Sequence, residues 1–184
     1  MSNFTNKNRT LVIDALMIAL YVVLNTLGEI PIGNVKITFG PLPIILVAFY
    51  FGIGHASIVA GAGEFVSQML GYGLTWTTPL WTVPPIARAV IICILLSLIF
   101  KRKRYDTVTQ VKYYEYFIIL FISGFLTTIL NTSVIALDAI IYSYYSYAYV
   151  FGDLILRFIT MSVSTVIYMF VAKAVIDALY KAKI

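Results

Sequence analysis

Pro79-Leu-Trp-Thr-Val-Pro-Pro-Ile-Ala-Arg88-Ala-Val-Ile-Ile-Cys-Ile-Leu-Leu-Ser-Leu-Ile-Phe100 is an apolar run closed by four basic residues, Lys101-Arg102-Lys103-Arg104. Arg88 is the one charge inside it. A bilayer core about 30 Å thick takes about 20 apolar residues to cross as a helix, so this run is long enough to span, and the basic quartet marks its return to water. The rest of the chain has the same character. Of 184 residues, 61% are hydrophobic and 11% charged, with a mean hydropathy of +0.93. Soluble domains carry about 25% charged residues, so a soluble fold is excluded on composition.

Working outward, the apolar runs divide the chain into six predicted helices in one integral membrane domain, residues 1–184. They cover about 11–27, 39–51, 55–70, 79–100, 113–137 and 151–178. The second is short and could be tilted or re-entrant. The N-terminus is polar from Ser2 to Thr10, and no small-residue cleavage site follows the first run, so no cleaved signal is expected. Lysine and arginine gather in alternate connections. Lys7 and Arg9, then Lys101 to Arg104 with Lys112, then Lys173, Lys181 and Lys183 all fall on one side of a six-span chain. Only Lys36 falls on the other. The positive-inside bias predicts cytoplasmic N and C termini in a multi-pass protein of the plasma membrane. It also explains the net charge of +5 without nucleic acid.

The predicted outer connections are Glu29–Thr38, Tyr72–Thr78 and Asp138–Val150. The last holds Tyr142, Tyr144, Tyr145, Tyr147 and Tyr149, and Trp76 and Trp81 lie near the second. Aromatic residues collect at membrane interfaces for amphipathic reasons; alternatively these rings form a lid over a bound solute. Charged groups within a bilayer cost at least about 2.5–3.5 kcal/mol and usually face a cavity or a partner. At 1.5 Å per residue, Glu64, Arg88, Asn131 and Arg157 all lie roughly 9–14 Å below the outer surface, with Gln68 one turn nearer the mouth. Their shared depth predicts a polar substrate pocket from Arg88, Asn131, Arg157, Glu64 and Gln68, roofed by Trp76, Trp81 and Tyr145. The competing readings are a structural Glu64–Arg88 ion pair, an Asp153–Arg157 pair at i,i+4, and a helix-bonding Asn131.

Ala15 and Ala19 form a small-xxx-small pair that lets a second helix approach closely, inside the bundle or from a partner. Helix 3 is richer still in small residues, from Ala56 to Gly63. Asp14 and His55, near helix ends, are expected to be solvated. The lone Cys93 reads as a small buried hydrophobe. No phosphate-binding Gly-x-x-x-x-Gly-Lys loop is present, so ATP hydrolysis by this chain is not expected. One histidine and one cysteine exclude His-rich and Cys-x-x-Cys metal sites. No Gly-x-Ser-x-Gly elbow appears. No catalytic residue, metal or cofactor is therefore assigned. A small intramembrane enzyme acting on a lipid, or a passive channel, are the competing classes.

Several segments together resemble the substrate-binding S components of energy-coupling factor (ECF) vitamin transporters. They are Ile37-Thr-Phe-Gly-Pro-Leu-Pro-Ile-Ile, Phe51-Gly-Ile-Gly, Gly61-Ala-Gly-Glu64, Tyr72-Gly-Leu-Thr-Trp-Thr-Thr-Pro-Leu-Trp81 and Pro84-Pro-x-x-Arg88. The likeness covers nearly the whole chain. Ala15-x-x-x-Ala19 matches the alanine motif that the family sets against its transmembrane coupling subunit. The resemblance implies capture of a water-soluble vitamin or precursor from outside, of the hydroxymethylpyrimidine, pyridoxine, pantothenate or folate type. It further implies toppling in the membrane, with a coupling subunit and two ATPases supplying ATP-driven work. The chain lacks the Pro-Gly-Phe-Thr stretch associated with folate members.

Overall fold

A computed structural model describes residues 2–32 and 35–182, with side chains from residue 8. Gly33, Asn34, Lys183 and the side chain of Lys7 lie outside the described residues. Among the described residues the chain forms eight α-helices: α1 Ser2–Thr26, α2 Pro41–Tyr50, α3 Ile53–Tyr72, α4 Thr78–Trp81, α5 Val83–Lys103, α6 Tyr113–Ile141, α7 Tyr147–Phe151 and α8 Leu154–Lys181. α4 and α7 are single turns that lead into α5 and α8, so six helices build the bundle. A two-stranded antiparallel hairpin, β1 Ile30–Ile32 and β2 Val35–Ile37, joins α1 to α2, pairing Ile30 with Ile37 and Pro31 with Lys36.

Among the described residues, four segments are long and apolar enough to cross a membrane: 8–26, 78–103, 113–141 and 147–181. α3 has the length but is diluted by glycine, serine, histidine, glutamate and glutamine. α2 has only ten residues, about 15 Å of helix or half the hydrocarbon thickness. It is apolar on all sides, which fits a helix with no solvent face. Ile44, Ile45, Val47, Ala48 and Phe49 are all buried, and the core of the bundle forms around them with Ala56, Val59, Ala60, Ala89, Ile92, Ile119 and Tyr116. Phe49 stacks on Tyr116 at 4.6 Å between ring centres.

Local chemistry sets the element ends. Gly52 and Gly73 take φ of +79° at the two ends of α3, a conformation that side chains with a Cβ resist. Pro84 and Pro85 open α5 in its first turn, where a missing N–H costs nothing. Ser146 caps α7 by accepting from the Tyr149 amide. Glu115, buried near the start of α6, accepts from the Lys112 amide at 2.8 Å and from the Tyr105 hydroxyl.

The structure corrects several expectations. Residues 30–32 and 35–37 pair as antiparallel strands where a plain loop is expected. The fourth predicted helix breaks at Thr82, and the sixth begins as α7 and breaks at Gly152-Asp153. α6 continues past Leu137 to Ile141, so Asp138 is helical. Asp14 is not solvated. It is 4% exposed, and its Oδ2 lies 2.6 Å from Nδ1 of His55, joining α1 to α3. Lys173, counted above as a basic end marker, is buried and donates to the Thr109 carbonyl and to Asp177.

Candidate functional site

The shortness of α2 creates the site. Beyond its first turn, at the hairpin end of the bundle, the surrounding helices enclose a cavity of about 250 Å³. Pro41, Ile44 and Ile45 form an apolar floor, and Val35, Lys36 and Thr38 of the hairpin border it. Pro41 has no N–H to offer, so the polar contacts must come from the walls.

α6 and α8 supply two walls through polar stripes at helical period. Ser123, Thr127 and Asn131, with Gly124 and Thr128, follow one another by four residues along α6; Arg157, Thr160, Ser164, Thr165 and Tyr168 run along one face of α8. Most hydroxyls on these walls donate back into their own helices: Ser123 to the Leu120 carbonyl, Thr127 to Ser123, Thr128 to Gly124 and Thr160 to Arg157. Their oxygens keep unused lone pairs, so these hydroxyls are acceptors toward the cavity.

α1, α3 and α5 complete the ring with Tyr21, Glu64 and Arg88. Glu64 is buried and accepts from the Tyr21 hydroxyl at 2.5 Å and from Gln68 Nε2 at 2.7 Å. Arg88 has no ion pair within the described residues, and its Nε is buried with no hydrogen-bond partner. Arg157 makes one long contact, 3.3 Å from Nη1 to Thr132 Oγ1. Lys36 is engaged elsewhere, with its ammonium 2.7 and 2.9 Å from the two carboxylate oxygens of Glu29. That hydrogen bond holds its pKa above the ordinary lysine value. Among the described residues, no three His, Cys, Asp or Glu side chains come together as a metal-ligand set.

Of the residues singled out in the sequence, the structure brings Glu64, Arg88, Asn131, Arg157 and Trp81 around one cavity. It does not bring Gln68, Trp76 or Tyr145 to the cavity wall. Gln68 reaches it only through Glu64, Trp76 is 93% exposed, and Tyr145 is exposed on the α6–α7 connection. For an amphipathic ring at interface level, facing outward is as favourable as facing in, and the tyrosines of this segment stand exposed rather than over the cavity. The Glu64–Arg88 ion pair and the Asp153–Arg157 side-chain pair do not form. The Asp153 carbonyl instead accepts from the Arg157 amide. Tyr21 and Tyr168 escaped the sequence reading because a tyrosine within an apolar run looks like core. The Ser/Thr spacing on α6 and α8 carried a signal that depth alone did not use.

A six-helix bundle with long apolar helices and a partly open polar cavity at its hairpin end fits a small membrane protein that holds a solute. The model of the family "ECF transporter, substrate-specific component" matches residues 9–182, and the chain belongs to that family. It is a multi-pass integral membrane protein and the substrate-binding subunit of an ECF transporter. Its fold is similar to a solved structure described as "Structure and mechanism of the S component of a bacterial ECF transporter". The TM-score is 0.63 at 18% identity, covering 94% of this chain and 98% of that one. Comparison with curated proteins found no match.

Proposed function

We propose that this subunit captures a small water-soluble vitamin or vitamin precursor in the cavity between α1, α3, α5, α6 and α8. It then delivers the solute to an ATP-driven coupling module made of a transmembrane subunit and two ATPases. The observation that carries this reading is Arg88. A guanidinium whose Nε is buried without a partner is a rare expense in a native fold, and at this cavity it is a group waiting for a ligand. The volume of about 250 Å³ falls at the lower edge of ligand pockets, which run from about 300 Å³ upward. It favours a single-ring or short-chain solute over one the size of folate.

The hairpin end faces outward in this reading and the basic quartet faces the cytoplasm. Ala15 and Ala19 are both exposed on α1, beside Leu11, Leu16 and Leu20, so they are not consumed by packing within the bundle. They offer the coupling subunit a place where its own helix can approach closely. Arg88, Asn131, Arg157, Glu64 and Trp81 contact the solute. Mass spectrometry of protein purified gently in detergent tests the reading. A water-soluble molecule should co-purify at near one per chain and be released chemically unchanged on denaturation. An empty cavity, or conversion of the molecule by the protein, contradicts it.

A further inference from the structure

We infer that the captured solute is a small organic monoanion, held by its carboxylate at Arg88 and Arg157 and carrying hydroxyl or N–H donors elsewhere. The inference rests on the capture reading of this cavity. Three observations support it.

The first is charge. Lys36 is neutralised by Glu29, which leaves Arg88, Arg157 and Glu64 as the charged groups bordering the space. Two guanidinium groups against one carboxylate leave a surplus of one positive charge. Such a surplus in a low-dielectric enclosure calls for a counter-charge. A carboxylate supplies one unit. A phosphate monoester carries about −1.5 to −2 near neutral pH and overshoots.

The second is the direction of the unused hydrogen bonds. Glu64 takes its hydrogen bonds from Tyr21 and Gln68 and none from Arg88, so it does not act as the missing partner in this arrangement. Arg88 has an unpartnered buried Nε, and Arg157 has only its long contact to Thr132. Guanidinium groups donate and never accept, and their planar fork matches the two oxygens of a carboxylate.

The third is the opposite polarity of the hydroxyls on α6 and of Thr160 on α8. Ser123, Thr127 and Thr160 spend their hydrogens on helix carbonyls and present acceptor oxygens. A solute that is an acid at one end and a donor at the other fits both. A cation meets only the acceptor hydroxyls, and a purely acceptor-rich neutral ring meets only the guanidinium donors.

The test uses matched pairs that differ in one acidic group, titrated into ligand-stripped protein in detergent. The pairs are pantothenate against panthenol and 4-pyridoxate against pyridoxine, with pyridoxine 5′-phosphate as the phosphate arm. The charge of the solute that co-purifies is identified in parallel. In at least one pair the acid should bind about tenfold or more tighter than its neutral partner, as expected for charge-assisted bonds. Arg88→Gln, which keeps N–H donors but removes the charge, should reduce that preference to less than about threefold. Equal or tighter binding of the neutral members overturns the inference, as does tighter binding of the phosphate. If no probe binds, a co-purified acid supports it and a neutral or cationic co-purified solute overturns it. A neutral solute whose binding is abolished by Arg88→Gln sinks the anion inference and leaves the capture reading intact. Absence of any bound solute sinks both.

Discussion

The ring of Tyr21 on α1 rests directly on Gly63 of α3, where a Cβ would meet the ring's Cδ1 at 2.7 Å. That contact lets the Tyr21 hydroxyl reach Glu64 one residue further along and tie two helices together beside the cavity. The ring is 4% exposed, so it has no free space into which to retreat. Gly63→Ala should cost about 1–3 kcal/mol through overpacking and weaken solute binding by displacing Glu64. Thermal unfolding in detergent, followed by ligand titration, measures both. An alanine variant with unchanged melting and affinity would show that α1 and α3 separate more easily than this packing allows.

His55→Ala should destabilise the bundle. Asp14 is buried, its Oδ1 already lacks a partner, and Oδ2 depends on His55. Leaving a buried acceptor unsatisfied costs about 1–3 kcal/mol, and the half-exposed histidine places the effect toward the lower figure. Because the pair lies far along α1 from Tyr21, solute affinity in the still-folded fraction should hold. Unchanged unfolding of the variant would mean that Asp14 finds water or another donor.

Ala15→Leu and Ala19→Leu should abolish uptake in cells that supply the coupling module while the isolated subunit binds solute normally. Both positions are exposed on α1, so a larger side chain meets nothing inside the bundle. Parallel loss of binding and uptake would assign the pair to internal packing.

Cysteine labelling fixes the orientation. Cysteines at Lys36, on the hairpin, and at Lys103, the last residue of α5, should react from opposite faces of intact cells, Lys36 from outside. Labelling of both from one face would contradict the six-span arrangement.

The helices were legible because length and apolarity alone specify a span, as Pro79–Phe100 illustrates. What the sequence did not reveal depended on which way side chains turn. The hairpin signal, the β-branched pairs Ile30/Ile32 and Val35/Ile37 flanking Gly33-Asn34 in the sequence, was present but overshadowed by the expectation of an outer loop. The depth argument placed Glu64, Arg88, Asn131 and Arg157 together because residues at one level in a narrow bundle have few places to go. It failed for Trp76 and Tyr145, whose level is the interface, where facing outward is as favourable as facing in. The partnerships within the site were also out of reach. Glu64 selects Tyr21 and Gln68 over Arg88, a preference set by how closely α1 packs on α3 at Gly63.

The central claim is that the polar cavity is the capture site, and affinity in arginine variants tests it most directly. Losing a hydrogen bond to a charged group costs about 1.5–3 kcal/mol, or about 10- to 150-fold in affinity. Titration of the co-purified solute into purified, folded Arg88→Ala and Arg157→Ala proteins should show at least a tenfold loss in each. Lys103→Ala, at the exposed basic end of α5, should bind as the wild type does. Unchanged affinity in both arginine variants would contradict the account and return Arg88 and Arg157 to a purely structural role.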